Sequence, residues 1–173
     1  MHNNNRTQLD KYNNSGYKPG FFFKRAIWYL MNVIFFKNNI NLINSLKVVV
    51  LKLFGAKIGK DVIIKPGVSI KYPWKLQVGN NVWIGEGVWI DNLGNVSIND
   101  NVCLSQGAML LCGNHNYKKS TFDLLIGDIY IEEGVWIGAR AILGPGIKCR
   151  SHAVLTVGSV ANSDLDPFTI YTG

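Results

Sequence analysis

The sequence predicts an all-β protein built as a parallel β-helix, and three observations lead to that class. Small or aliphatic residues return at every sixth position through residues 131–160, at Ile131, Ile137, Leu143, Cys149 and Leu155. Val135, Ala141, Ile147, Ala153 and Ser159 follow each of these by four. Finally, the beat is interrupted by one long insertion, residues 111–130. An amphipathic helix needs a period near 3.6 and a half-buried strand needs strict alternation, so neither gives a repeat of six. A short strand and its corner, repeated every six residues, does.

In chain order, residues 1–57 read as an N-terminal tail and helical cap, and residues 58–173 as the repeat domain. The opening MHNNNRTQLDKYNNSG has no apolar run beside a small-residue cleavage site, so it is not read as a secretory signal. It is expected to be disordered or loosely docked. Residues 21–36, FFFKRAIWYLMNVIFF, form a helical candidate broken early by Lys24 and Arg25, and too short to span a bilayer. A second candidate, residues 40–54, places Leu42, Ile43, Leu46, Val49, Val50, Leu53 and Phe54 at three-to-four spacing before Gly55. Two helices here would cover the exposed end of the β-helix, whose unpaired edge invites aggregation. Contact with a membrane surface is the alternative use.

Five coils follow, begun by Ile58, Val78, Ile98, Ile131 and Cys149. Two-residue insertions lengthen the intervals 70–78 and 90–98 at one corner, and the long insertion falls at the same corner. Gly59, Gly79, Gly85 and Gly138 directly follow inward positions, Gly67, Gly87, Gly107, Gly134 and Gly144 recur nearby, and all are expected to supply corner conformations that a Cβ would obstruct. A uniform prism is a platform, so function is expected where the repeat breaks, in LCGNHNYKKSTFDLLIGDIY at 111–130.

Charge is divided unevenly. Nine Lys or Arg against one acid give residues 1–57 a net +8, while residues 58–173 carry −1. That segment can attract phosphates or an anionic surface, or can simply be a solvated face. No nucleic-acid motif accompanies it, and no nucleic-acid partner is expected. Cys103, Cys112 and Cys149 match no zinc or redox spacing, and their odd number argues against a disulfide framework, so reduced thiols in the cytoplasm are expected. A three-histidine zinc site of the kind carbonic anhydrases build on such prisms would need His2, His115 and His152 together, and their spacing disfavours it.

Four stretches carry a resemblance: LFGAKIG (53–59), KYPWKL (71–76), SQGAMLLCGNHNY (105–117) and VWIGARAILGPGI (135–147). They resemble the left-handed β-helix acetyltransferases of the colanic-acid O-acetyltransferase type, relatives of maltose and galactoside acetyltransferases. The resemblance covers the chain from about Gly20 onward. It implies a left-handed coil, a homotrimer with active sites in grooves between subunits, and transfer of acetyl from acetyl-CoA to a sugar hydroxyl without a metal. His115 matches the family's catalytic histidine. A neutral imidazole, with an unperturbed pKa near 6.5, suits a general base that takes the hydroxyl proton as it attacks a thioester.

By the same matching, acetyl-CoA is expected along Trp136, Gly138, Ala139, Gly144 and Ser159. Gly and Ala at these places also serve coil corners, and Trp136 either lines the groove or covers an outer face. Asp91 and Asn92, with Asn116 and Tyr117 beside the histidine, are the acceptor candidates; a solvated turn is the other reading of Asp91 and Asn92. Two departures stand out. Relatives place Asp after the histidine where this chain has Asn116, which cannot stabilise imidazolium by charge. The C-terminal ANSDLDPFTIYTG lacks the family's Lys-Asp, Pro-Pro and Gly-Asn-Pro pattern, so Arg140, Lys148 or Arg150 is expected to meet the CoA 3′-phosphate. The acceptor is read as a sugar, sugar nucleotide or lipid-linked oligosaccharide of surface or exopolysaccharide assembly, in the cytoplasm or peripherally at the inner face of the membrane. The alternatives are O-acetylation of a xenobiotic such as an antibiotic, and a non-catalytic scaffold.

Overall fold

The six-residue beat becomes three flat faces in the structure, a computed structural model that describes residues 6–37 and 43–173. The first face stacks Lys57–Ile58, Leu76–Val78, Val96–Ile98, Ile129–Ile131 and Lys148–Cys149. Ile63–Ile64, Trp83–Ile84, Cys103–Leu104, Trp136–Ile137, Val154–Leu155 and Ile170–Tyr171 form the second. The third holds Ser69–Ile70, Trp89–Asp91, Met109–Leu111, Ile142–Leu143 and Val160–Ala161. All these pairings are parallel and in register, so each inward residue sits on its counterpart one coil away, as Ile58 on Val78 and Val78 on Ile98. The ladders Ile64-Ile84-Leu104-Ile137-Leu155 and Ile70-Ile90-Leu110-Leu143-Ala161 are buried, as are the smaller rows that precede them in the chain, Val62, Val82, Val102, Val135 and Ala153 before the first and Val68, Val88, Ala108 and Ala141 before the second. Each fully buried aliphatic side chain contributes roughly 1.5–3 kcal/mol.

Five complete coils are followed by part of a sixth, in which Leu165 bridges Cys149 and Ile170–Tyr171 joins the second face. The sequence count stopped at five because the interval from Ala161 to Leu165 is four residues, not six. The corner glycines divide into two groups. Gly59, Gly79, Gly85, Gly138 and Gly144 are not among the residues with positive φ, whereas Gly67, Gly87, Gly107 and Gly134 are, as expected. Asp61, Asn81, Asn101, Arg140 and His152 take that conformation as well. The first group is glycine because coils approach closely there: a Cβ on Gly59 would lie 2.5 Å from the carbonyl oxygen of Gly79, and one on Gly138 2.6 Å from the amide of Val157.

Helices α1 (Phe22–Phe35) and α2 (Asn44–Leu53) cover the first coil. Its outer backbone groups have no preceding coil to pair with, and side chains take that part. Trp28 Nε1 donates to the Ile70 carbonyl at 2.9 Å, Lys47 Nζ to Ile64 at 3.1 Å, and Asn44 Nδ2 to Val62 at 2.7 Å. Asn44 Oδ1 accepts the Ile64 amide at 2.8 Å. This requirement shifts the expected apolar face of α2. Val50 is buried and Phe54 packs against the core as expected, Lys47 and Leu51 are buried beside them, and Leu46, Val49 and Leu53 face outward. Burial lowers the pKa of Lys47, with Lys65 adding to the effect. Residues 40–42 of the expected helix lie outside the described residues. No described helix is long and apolar enough to cross a membrane.

Candidate active site

The long insertion is a β-hairpin. Gly113–His115 pairs antiparallel with Leu124–Ile126, setting His115 opposite Leu124. Its tip is closed by backbone bonds from Asn116 to Asp123 at 2.8 Å and from Phe122 to Lys119 at 3.1 Å, and by a Lys119–Asp123 ion pair at 3.1 Å. Phe122 has a positive φ of 50°, uncommon for an aromatic residue, and its carbonyl lies 2.9 Å from His115 Nδ1. A carbonyl oxygen can only accept, so Nδ1 carries the proton and donates, leaving the lone pair on Nε2. The Phe122 ring stacks on the imidazole with centroids 4.2 Å apart and planes 4° from parallel, and Tyr12 meets the imidazole edge-on at 5.4 Å.

Tyr12 belongs to the segment expected to be loose. Instead, Gln8 donates its amide to the Ser120 carbonyl at 2.8 Å, and Tyr17 donates its hydroxyl to the Leu93 carbonyl at 2.9 Å, strapping residues 8–17 across the hairpin. Burial, reinforced by Tyr72, raises the Tyr17 phenol well above its ordinary pKa, so it stays a donor. Strap, hairpin and prism together enclose a cleft of about 510 Å³ lined by Tyr12, Arg25, Lys71, Tyr72, Leu93 and His115. The other side of the hairpin, with Asn114 and Leu125, lines a second cleft of about 590 Å³ that includes Gly144 and Pro145.

The remaining candidates do not converge in a single chain. Trp136 stands half-exposed on the second face and donates Nε1 to Ser105 Oγ at 2.8 Å. Gly138, Ala139 and Arg140 turn the corner from the second face to the third, and Gly144 begins the corner from the third to the first. Lys148 is on the first face, over the ring of Tyr130, and Arg150 lies at the next corner. Ser159 points inward, 3% exposed, with its hydroxyl held by Thr156 Oγ1 and the Gly173 amide, each at 2.9 Å, which removes it from a groove surface. Asn92 is likewise a correction. It is fully buried, and its amide clamps the backbone of Tyr72, accepting at 2.9 Å and donating at 2.6 Å, so it shapes the inserted corner and does not reach an acceptor. Asp91 is ion-paired with Lys71 at 2.7 Å. Asn116 Oδ1 accepts the Lys118 amide, and Tyr117 is exposed at the hairpin tip. Among the described residues no group of three or more His, Cys, Asp or Glu is placed to hold a metal.

No protein-family model matches the chain. It is 33% identical over 140 residues to WcaF of Escherichia coli K12, a protein named for acetyl transfer in colanic acid biosynthesis, across 81% of this chain and 77% of that one. The chain belongs to the hexapeptide-repeat acetyltransferases. This acetyltransferase is also 24% identical to galactoside O-acetyltransferase of the same bacterium, over 71% of its own length and 62% of the relative's. Among solved structures, a hexapeptide-repeat acetyltransferase of Vibrio cholerae in complex with acetyl-CoA superimposes with a TM-score of 0.78 at 19% identity, covering 87% of this chain and 82% of that one. The shared fold is the left-handed β-helix.

The sequence singled out His115 but not Tyr12 and Phe122, whose rings pack on it, or Arg25, which lines the same cleft. Tyr12 and Arg25 lie outside the repeat, and nothing periodic marks them. Phe122 acts through its backbone carbonyl, which no side-chain pattern announces.

Proposed function

We propose that the protein moves acetyl from acetyl-CoA to a hydroxyl of a sugar destined for a surface polysaccharide, with His115 as general base. The observation that carries this reading is the bond from His115 Nδ1–H to the Phe122 carbonyl, which leaves Nε2 as the basic nitrogen at the cleft. Nε2 would take the acceptor's hydroxyl proton as its oxygen attacks the thioester carbon. As the C–S bond breaks, the imidazolium would return that proton to the CoA sulfur. The orienting task falls to the Phe122 carbonyl, which holds the ring through Nδ1–H, with the Phe122 ring stacked on the imidazole face.

Acetyl-CoA as donor is supported by the family and by the acetyl-CoA complex of the Vibrio relative. The donor residues lie on different faces, so a groove between adjacent copies of a homotrimer would gather Trp136, Gly138, Ala139 and Arg140 of one copy opposite another copy's hairpin. The outward, partly exposed Trp83 and Trp136 on the second face fit such packing. The sugar acceptor is supported by the naming of WcaF and of galactoside O-acetyltransferase. Three free thiols fit a cytoplasmic location. Exposed Phe21, Phe22 and Phe23 beside Lys18 and Lys24 support peripheral contact with an anionic membrane. The test is CoA release from acetyl-CoA across a panel of sugars, sugar nucleotides and drug hydroxyls. Release that depends on a sugar acceptor supports the reading. Release with drug hydroxyls alone, or with none, refutes it.

A further inference from the structure

The cleft at His115 does not end at the imidazole. It shares Arg25, Lys71 and Tyr72 with another cleft, of about 340 Å³, that runs between α1 and the third face past Trp28, Tyr29 and Trp89. Lys37 and Ser69 also line this second space. Its acid, Asp91, is already engaged by Lys71 at 2.7 Å. Arg25 has no carboxylate partner: the ion pairs among the described residues are Lys71–Asp91 and Lys119–Asp123. Its Nε is buried without a hydrogen-bond partner. A guanidinium is always charged and carries donors in a rigid fork, and Arg25 lines both clefts, so an anion lying there would supply the partner that this side chain lacks.

We infer that Arg25 seats a phosphate of the acceptor, and that the acceptor is a sugar joined through phosphate or diphosphate to an apolar or aromatic carrier. This rests on the acetyl-transfer reading and narrows its substrate class. The sugar occupies the His115 side, the phosphate bonds Arg25, and the carrier continues along α1 between Trp28, Tyr29 and Trp89. Lys37 and the hydroxyls of Ser69 and Tyr72 extend the polar strip beyond one anionic group. That length suits phosphate or diphosphate better than a lone carboxylate. A nucleoside and a polyprenyl chain both satisfy the carrier chemistry.

Two measurements test the seat. The first is calorimetric titration of inorganic pyrophosphate with CoA held at saturation, which fills the donor's own phosphate sites. Saturable binding, weakened about 10–100-fold in Arg25→Gln and partly restored in Arg25→Lys, is expected. Absent binding, or binding equal in wild type and Arg25→Gln, overturns the proposal. If Arg25→Gln fails to fold, the wild type alone decides: pyrophosphate should compete with the acceptor and not with acetyl-CoA, and the reverse pattern overturns the seat. The second measurement compares a free hexose, the corresponding hexuronic acid, the hexose 1-phosphate, its nucleoside diphosphate ester and its polyprenyl diphosphate ester. The KM of the phosphorylated acceptors should lie at least about 10-fold below that of the free hexose and rise about 10–100-fold in Arg25→Gln, with the KM for acetyl-CoA unchanged. Preference for either ester supports the seat and names the carrier. A hexuronic acid that performs as well as the phosphorylated sugars overturns it. Arg25-dependent pyrophosphate binding without acetylation of any sugar would leave the seat standing and end the transfer reading. Acetylation that depends on His115 and is indifferent to Arg25 would do the opposite.

Discussion

Replacing Gly138 with Ala separates two roles that one residue has been given. Its position in the VWIGA motif suggested close approach of a pantetheine arm, yet the structure shows close approach of the next coil. A Cβ at Gly138 would lie 2.6 Å from the Val157 amide nitrogen, 2.7 Å from the Leu155 carbonyl oxygen and 2.7 Å from the Thr156 carbonyl carbon. All three are backbone atoms, and ordinary contacts for a Cβ begin near 3.4 Å. The coil must therefore move by several tenths of an ångström in a stack whose spacing, about 4.8 Å, is set by hydrogen bonds. Overpacking of this kind costs about 1–3 kcal/mol. For a chain of this length each kcal/mol shifts the melting midpoint by about 2–4 °C, so a fall of about 3–10 °C is expected at fixed protein concentration. Gly87→Ala is the internal comparison: its φ is +67° and no atom lies within 4 Å of the added Cβ, so only the left-handed backbone penalty of about 1–2 kcal/mol applies. Differential scanning calorimetry of both variants, with the KM for acetyl-CoA measured on each, is the assay. A Gly138→Ala midpoint within about 1 °C of wild type, a difference of about 0.3 kcal/mol, would refute the stacking argument. A raised KM with that unchanged midpoint would assign the residue to the donor instead.

Three further outcomes follow from the same geometry. Asn44→Ala removes both bonds that close the first coil at Val62 and Ile64, costs about 1–3 kcal/mol and lowers the melting midpoint by about 3–10 °C; an unchanged midpoint in calorimetry would show that the cap does not act through this side chain. Burial pushes the thiol of Cys112 up to about 11 and that of Cys149 up to about 12, so both stay protonated at pH 8, and a thiol-specific chromogenic reagent should modify Cys103 alone in the native protein and all three cysteines in denaturant. Rapid native modification of Cys149 would contradict its burial behind the first face. Vesicles of anionic lipid should sediment the wild type and retain markedly less of a Phe21→Ser, Phe23→Ser double variant, whose side chains are 85% and 78% exposed and leave the prism cap untouched; equal sedimentation would exclude these residues from membrane contact.

Much of the prism was legible because each inward residue repeats one physical requirement, an aliphatic side chain every six positions with a smaller one four later. Ile131, Ile137 and Leu143 could be placed from that beat alone, and the structure buries all three. The beat fades where residues satisfy backbone groups instead of filling the core. Lys47 is buried because its ammonium reaches the Ile64 carbonyl, so the expected stripe held at Val50 and Phe54 and failed at Leu46, Val49 and Leu53, which face outward. Asn92 read as an acceptor contact because an Asn at an inserted corner is ordinarily solvated, whereas here its amide holds the Tyr72 backbone. At the candidate active site, His115 was singled out by the motif around it. Its environment was not, since Phe122 contributes a carbonyl and Tyr12 arrives from a strap more than one hundred residues away in sequence.

The central claim, acetyl transfer with His115 as base, is tested most directly by acceptor-dependent CoA release with His115→Ala beside the wild type, and acetyl-CoA binding to both measured by calorimetry. The account predicts a fall of roughly 10²-fold or more in kcat with acetyl-CoA affinity preserved. Unchanged turnover in His115→Ala would contradict it.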